Sequence, residues 1–336
     1  MIQKFSILLL AWAAFICACT PLLCGCKKTG DSTNANESFR VALLSPGPIN
    51  DNGWNAIAWD GLLAIEKQLG ALKSQQQVKP AEIEDGLRRN AQKGTTLIIG
   101  HGFEFGIYAL KVAKEFPNVK FVVSAGASDV VAENVASMVW RIEDAAYLCG
   151  YIAAKLSKTG KAGCVGGVDI PPVRSAFDAF ADGAKSVNPQ FEVRQTYVNN
   201  WHDIGAARAQ SLSLIAAGCD SLFHNADAAG LGMLEAAEQK KVLAFGCTKD
   251  QSSSAPNAVV ASAIVDVPRT FVAVAEEVKD NKFRGRRIEW TRREDAIGLV
   301  WNEKLKSTIP ADLIKEVAEL DQKIKTGQLK IRYTAK

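Results

Sequence analysis

The chain has 336 residues, 48% hydrophobic and 23% charged, with a formal net charge of +4. That composition suits a globular protein of one large or two medium domains. The small charge, with no basic stripe interleaved with aromatics, gives no support to nucleic-acid binding.

Lys4 and the apolar run Ile7 to Ile16 read as a targeting signal, because a membrane span needs about 20 apolar residues. Leu23-Cys24-Gly25-Cys26 is similar to a bacterial lipobox, which assigns residues 1–25 to a signal peptide and makes Cys26 the lipidated N-terminus. Ile16-Cys17-Ala18-Cys19 is a poorer second site, and a plain secretory signal cut near Gly25 is the alternative. Residues 26–38 carry no large apolar side chain and read as a flexible tether.

From Phe39 onward strand-like and helix-like segments alternate. Phe39 to Leu44 reads as a buried strand, broken by a loop rich in Pro, Gly, Asn and Asp, then a helix-period segment from Ala56 to Leu69. Further strands are expected at Thr95–Gly100, Val119–Ser124, Ala136–Trp140, Gly163–Gly166, Val193–Val198, Ser221–His224, Val242–Phe245 and Val259–Ile264. Helices are expected at Pro80–Lys93, Phe105–Phe116, Ala145–Leu156, Arg174–Val187, Asp203–Ala217, Ala229–Gln239 and Thr270–Lys279. A last helix, Ile314–Thr326, is closed by Gly327 and followed by a short run, Leu329–Ile331, expected to pack across a lobe. The alternation predicts an α/β protein with parallel sheets and right-handed crossovers, divided into two Rossmann-like lobes. The expected division is 39–141 with 265–290 for lobe 1, and 142–264 with 291–336 for lobe 2; the placement of the tail is open.

Of eight cysteines, Cys149, Cys164, Cys219 and Cys247 lie beyond the signal region, and none forms a metal-type pair. They read as buried thiols. The three histidines belong to no nucleophile elbow, H-E-x-x-H or clustered-carboxylate motif, and the glycines of Gly163 to Gly167 do not form a dinucleotide fingerprint. No catalytic residue, metal or cofactor is expected.

Trp54 stands on the loop leaving the first strand, where ligands of α/β sheets bind. A tryptophan there suits stacking on a flat ligand, and Trp201 is expected to face it. Asp51 and Asn55 could reach a ring edge or cap the following helix. His101 and Phe103 end a strand beside glycines that admit close backbone approach. Asp227 divides between helix cap and ligand acceptor, and Asp250 leans to a structural role. Arg141, Glu143 and Asp144 read first as an interlobe ion pair and second as a ligand contact; Asp266 reads as hinge, His202 and Trp59 as structural.

Four stretches in order, residues 100–121, 141–156, 166–189 and 309–331, resemble the basic membrane protein (PnrA-like) family of bacterial lipoproteins. The family's members are substrate-binding components of ABC importers with the type I periplasmic-binding fold. The resemblance spans Phe39 to Ile331. It implies stacking roles for Trp54 and Trp201. It also implies that Ser45 and Thr248 stand where nucleoside receptors carry aspartates, and Val265 where they carry a lysine. Pro48-Ile49-Asn50-Asp51-Asn52-Gly53-Trp54 and Asn199-Asn200-Trp201-His202-Asp203 are more similar to the nucleobase branch. The implied function is a lipid-anchored extracytoplasmic receptor in the cell envelope, delivering a purine base to an ABC permease and not acting as an enzyme. A nucleoside receptor, a sensor feeding a signalling partner, a sugar binder and an enzyme acting on purines or nucleosides are the alternatives.

Overall fold

The structure, a computed structural model, describes residues 38–51 and 53–335. The first half runs β1 (Arg40–Ser45), α1 (Trp54–Leu69), β2 (Leu72–Gln77), α2 (Ile83–Gln92), β3 (Leu97–His101), α3 (Gly106–Glu115), β4 (Lys120–Ser124) and β5 (Val135–Trp140). Then come α4 (Glu143–Leu156), β6 (Lys161–Gly166), α5 (Pro171–Val187), β7 (Glu192–Tyr197), α6 (Ile204–Ala216), β8 (Ser221–Asn225), α7 (Gly230–Lys240), β9 (Leu243–Thr248) and β10 (Val259–Val265). The chain closes with α8 (Val267–Lys279), β11 (Arg287–Trp290), β12 (Ile297–Trp301), α9 (Glu303–Lys306) and α10 (Ala311–Thr326).

Two six-stranded sheets result, in the orders β11-β5-β4-β3-β1-β2 and β12-β10-β9-β8-β6-β7. All pairs are parallel except β12, which runs antiparallel to β10. The central strands are apolar on both faces because helices cover both faces of a parallel sheet. Leu43, Leu44, Ile98, Phe223 and Phe245 are buried.

The chain passes between the sheets after β5, after β10 and after β11. Around these passages one apolar cluster joins Val41 and Leu62 of the first lobe, through Trp140, Ile142 and Phe271, to Phe180 and Phe223 of the second. The residues after α10 run back over the passages. Arg287 of β11 donates to the Tyr333 hydroxyl at 3.2 Å, while Thr334 N–H donates to Ser175 Oγ of α5 at 3.0 Å. The expected run Leu329–Ile331 is therefore part of a strap across both lobes, without strand pairing.

Three strands escape sequence reading: β2, β11 and β12. All lie at sheet edges. An edge strand has one open side and tolerates polar residues, so Leu-Lys-Ser-Gln-Gln-Gln in β2 and Arg-Ile-Glu-Trp in β11 lack the apolar run that marks the interior strands. Cys149, Cys164, Cys219 and Cys247, the cysteines among the described residues, are buried and free.

Helices α4 and α5 pack with their backbones in contact. A Cβ on Gly150 would lie 1.9 Å from the Phe180 carbonyl oxygen, and one on Gly183 would lie 2.0 Å from that of Tyr147. Backbone has nowhere to retreat, so this crossing fixes where the first turns of both helices stand. Gly183→Ala should destabilise the fold by about 1–3 kcal/mol through overpacking. Urea titration checks this, and an unchanged midpoint would show that the helices can separate without cost.

Candidate functional site

A cavity of about 140 Å³ lies between the lobes. Its wall is drawn from the carboxyl ends of strands in both sheets. Pro46 follows β1, Gly102 to Glu104 follow β3, Ala125 follows β4, and Val139 and Trp140 end β5. Trp201 follows β7, Asn225 and Asp227 end and follow β8, and Thr248 and Val265 end β9 and β10. This is where parallel sheets place ligands, because strand ends and helix N-termini converge there. The volume corresponds to on the order of ten water molecules, room for a bicyclic heterocycle.

Trp54 is the first residue of α1, and its indole is held from two sides. His101 stacks on it with centroids 4.1 Å apart and planes at 23°, and Trp140 meets it edge-on at 5.6 Å and 87°. His101 itself is not on the wall. It is buried beneath Trp54, where its Nε2 contacts the Trp54 carbonyl at 2.9 Å and its Nδ1 contacts Ser124 Oγ at 2.7 Å. A carbonyl can only accept, so Nε2 carries the proton and Nδ1 accepts from the serine. Burial pushes this imidazole down to about 4, which keeps it neutral.

Trp201 lies over Gly167, whose missing side chain admits the ring: a Cβ there would sit 2.1 Å from Trp201 Cε3. Trp54 and Trp201 both line the cavity, one from each lobe, and no ring-to-ring contact joins them among the described residues. Phe103 and Thr248 are also on the wall. Thr248 Oγ1 donates to the Cys247 carbonyl at 2.6 Å.

Asp227 is on the wall and also bridges the lobes. Its Oδ1 accepts the Trp54 N–H at 2.8 Å, across 173 residues of sequence. Burial and the nearby Asp51 carboxylate hold its carboxyl well above the usual range. Ala125, Asp227 and Thr248 have positive φ values of 54°, 54° and 71°. Such backbone is costly for non-glycine residues, most of all β-branched threonine, and gathers at functional sites.

Four residues expected near a ligand are consumed inside the protein. Ser45 Oγ donates to the Gly47 carbonyl at 3.0 Å and receives Gln75 Nε2 at 3.3 Å. The Asp51 carboxylate accepts the N–H groups of Gly53, Asn55 and Ala56 and the Asn55 amide, with distances from 2.7 to 3.0 Å. Asn55 accepts the Gly47 N–H at 3.3 Å through its own carbonyl. These three and His101 leave the wall because helix-start N–H groups and loop carbonyls take their polar atoms. Asp250 is exposed and caps its own turn by accepting Ser252 N–H at 2.9 Å. Cys26 lies outside the described residues.

The wall also holds residues that sequence reading passed over: Glu104, Trp140, Ile170, Pro172 and Tyr333. Trp140 ended a recognised strand and was legible in principle. Nothing near Tyr333 in sequence pointed to a cavity built mainly from residues before 270. Glu143, read first as an ion-pair partner, is 2% exposed and on the wall. Its Oε2 lies 3.7 Å from Arg141 Nε, beyond hydrogen-bond length, and neither atom has another hydrogen-bond partner among the described residues. Asp144 turns instead to the Arg292 N–H at 3.0 Å.

Two lobes of mostly parallel sheet, joined by three passages, with an aromatic cavity at their facing strand ends, define a solute-binding protein of the type I periplasmic-binding fold. A solved ABC transporter solute-binding protein from Aeropyrum pernix K1 superposes with a TM-score of 0.80 over 88% of this chain and 94% of that one, at 24% identity. The profile of the family described as ABC transporter substrate-binding protein PnrA-like matches residues 39–335, and the chain belongs to that family. A purine-binding protein of Brucella abortus (strain 2308) is 30% identical over 89% of this chain and 85% of its own length. Basic membrane protein A1 of Borrelia garinii subsp. bavariensis is 28% identical over 91% of each chain. The family's function is substrate binding for import, with a small-molecule ligand and a permease as partners.

Burial raises the Glu143 carboxyl from 4.5 to about 7, against the opposing pull of the Ser175 hydroxyl and Arg141. A carboxyl raised on folding favours the native state below its unfolded value, and that contribution is lost as pH climbs through the folded value. Glu143→Gln should therefore raise Tm at pH 8, by about 2 °C or more for each kcal/mol recovered, with the gain shrinking to nothing near pH 4. Melting curves across that range check it; a gain that grows on acidification would reverse the assigned sign.

Proposed function

We propose that this protein is a lipid-anchored extracytoplasmic receptor that takes up a purine nucleobase, or a similar flat heteroaromatic, and presents it to an ABC permease. The observation that carries this is the pair of indoles, Trp54 and Trp201, on opposite lobes of one cavity. Base–aromatic stacking contributes about 1–3 kcal/mol per face, and hydrogen bonds from the wall supply the rest of a micromolar affinity, about 8 kcal/mol. The purine-binding name of the Brucella relative supports the ligand class.

The base is preferred to the nucleoside on local chemistry. Val265 offers no polar atom, and the Thr248 hydroxyl is spent on a backbone carbonyl, so the strand ends that would hold a ribose lack free donors and charges. Capture proceeds by hinge closure. A ligand touching both tryptophans favours the state in which the lobes meet, and the hydrogen bond from Trp54 N–H to Asp227 belongs to that state. Lipidation at Cys26 would keep the receptor beside its permease.

Trp54→Ala and Trp201→Ala should each weaken adenine binding by roughly 5- to 150-fold, equivalent to about 1–3 kcal/mol, measured by calorimetry. Absence of binding to adenine, guanine, hypoxanthine, xanthine and nucleosides alike would remove the ligand class. Cys26→Ala should release the protein from the membrane fraction, and continued membrane association would refute the anchor.

A further inference from the structure

Three residues on the cavity wall carry a hydroxyl or an amide: Asn225, Thr248 and Tyr333. Such groups both donate and accept. Thr248 spends its proton on the Cys247 carbonyl, and the Tyr333 hydroxyl accepts Arg287 Nη2. The Asn225 amide has no hydrogen-bond partner among the described residues, and the residue is half-buried, not sealed.

Strand geometry sets where this amide points, because successive side chains of a strand take opposite faces. On β8, Leu222 and His224 take one face. Leu222 packs in the cluster that holds Met233 and Ala237 of α7, and His224 is buried and bonded to Gln251. Phe223 takes the other face and stacks on Phe180 of α5. Asn225 falls on the Phe223 face, at the carboxyl end of the strand. Its neighbour on β6 is Gly166, which has no side chain to cover it. Pro172 and Val173, from the first turn of α5, form the wall on that side. The Asn225 carbonyl accepts the Gly167 N–H at 3.0 Å, and Gly167 is the residue over which Trp201 lies. The amide therefore stands beside the stacking platform. A side chain in that position meets the edge of a stacked ring, where N–H groups and ring acceptors are found.

The apolar neighbours give the amide nothing to bond. Water serves it while the cleft is open, and a ring entering between the tryptophans displaces that water. The amide must then pair with the ring edge or stay unpaired, a difference of about 5- to 150-fold in affinity.

We infer that Asn225 is the specificity-determining residue of this cavity: its amide pairs with a ring edge that carries an N–H beside an acceptor. No protein group fixes which way the amide faces, so it serves both orders. The amino N–H of one purine beside its ring nitrogen and the ring N–H of another beside its carbonyl fit equally. The ligand class narrows to heterocycles with such an edge, and flat rings that only accept are held by stacking alone. This rests on the heteroaromatic reading above.

The test is calorimetry on the full chain in detergent with adenine, hypoxanthine and 9-methylpurine, which keeps the ring and its acceptors but has no N–H. The wild type should bind adenine and hypoxanthine within about tenfold of each other, and both at least about tenfold more tightly than 9-methylpurine. Asn225→Leu should weaken adenine and hypoxanthine by about tenfold and leave 9-methylpurine unchanged or tighter. Asn225→Ala, which cannot obstruct the cavity, should show the same ligand-dependent loss. Melting curves establish that both variants fold. Adenine and hypoxanthine binding unchanged in both variants, or 9-methylpurine weakened in parallel with them, would overturn the role of Asn225 while leaving a purine receptor in place. Refusal of one of the two bases by more than about a hundredfold would overturn the reading of both orders. No binding of any of the three to the wild type would overturn the heteroaromatic reading and this inference together.

Discussion

The start of helix α1 is the point on which the site depends. Four successive backbone N–H groups, those of Gly53, Trp54, Asn55 and Ala56, have no partner within the helix and are all taken by carboxylates. Three go to Asp51 on the preceding loop, and the Trp54 N–H goes to Asp227 on the other lobe. One group of donors thus both fixes the indole of Trp54 and joins the lobes. Two carboxylates at one helix N-terminus are favoured by its partial positive charge, while their closeness and burial work against full ionisation of Asp227.

Around that joint the cavity is built in layers. His101 backs Trp54, neutral and bonded at both nitrogens, so the stacking surface rests on a rigid support. Gly167 lets Trp201 lie against the backbone of the opposite lobe. The close crossing of α4 and α5 holds Glu143 beside Ser175, and the C-terminal strap brings Tyr333 to the wall and ties β11 to α5. The two indoles thus come from a helix start in one lobe and a strand-end loop in the other, while Glu143 comes from a helix start just after the first passage between the sheets.

The interior strands and all the long helices were legible in the sequence because their periodicities are enforced by burial. The edge strands β2, β11 and β12 were not, since an edge needs only backbone partners on one side. Among candidate site residues, the large aromatics on strand-end loops were read as wall residues and lie there. The small polar residues on the same loop, Ser45, Asp51 and Asn55, could have faced a ligand or the helix start. Residue type does not separate those uses, because the same oxygen serves both.

Sequence alone determined the alternation of strand and helix, the parallel character of the sheets, and the family to which the chain is similar, because each of these is written in local pattern or in the order of several motifs. Only the tertiary structure decided which acids meet across the cleft, that His101 supports a ring instead of facing solvent, and that Tyr333 reaches a cavity made by residues far earlier in the chain. Those outcomes hinge on contacts between segments 47 to 190 residues apart, and no local pattern encodes a partner at such a distance.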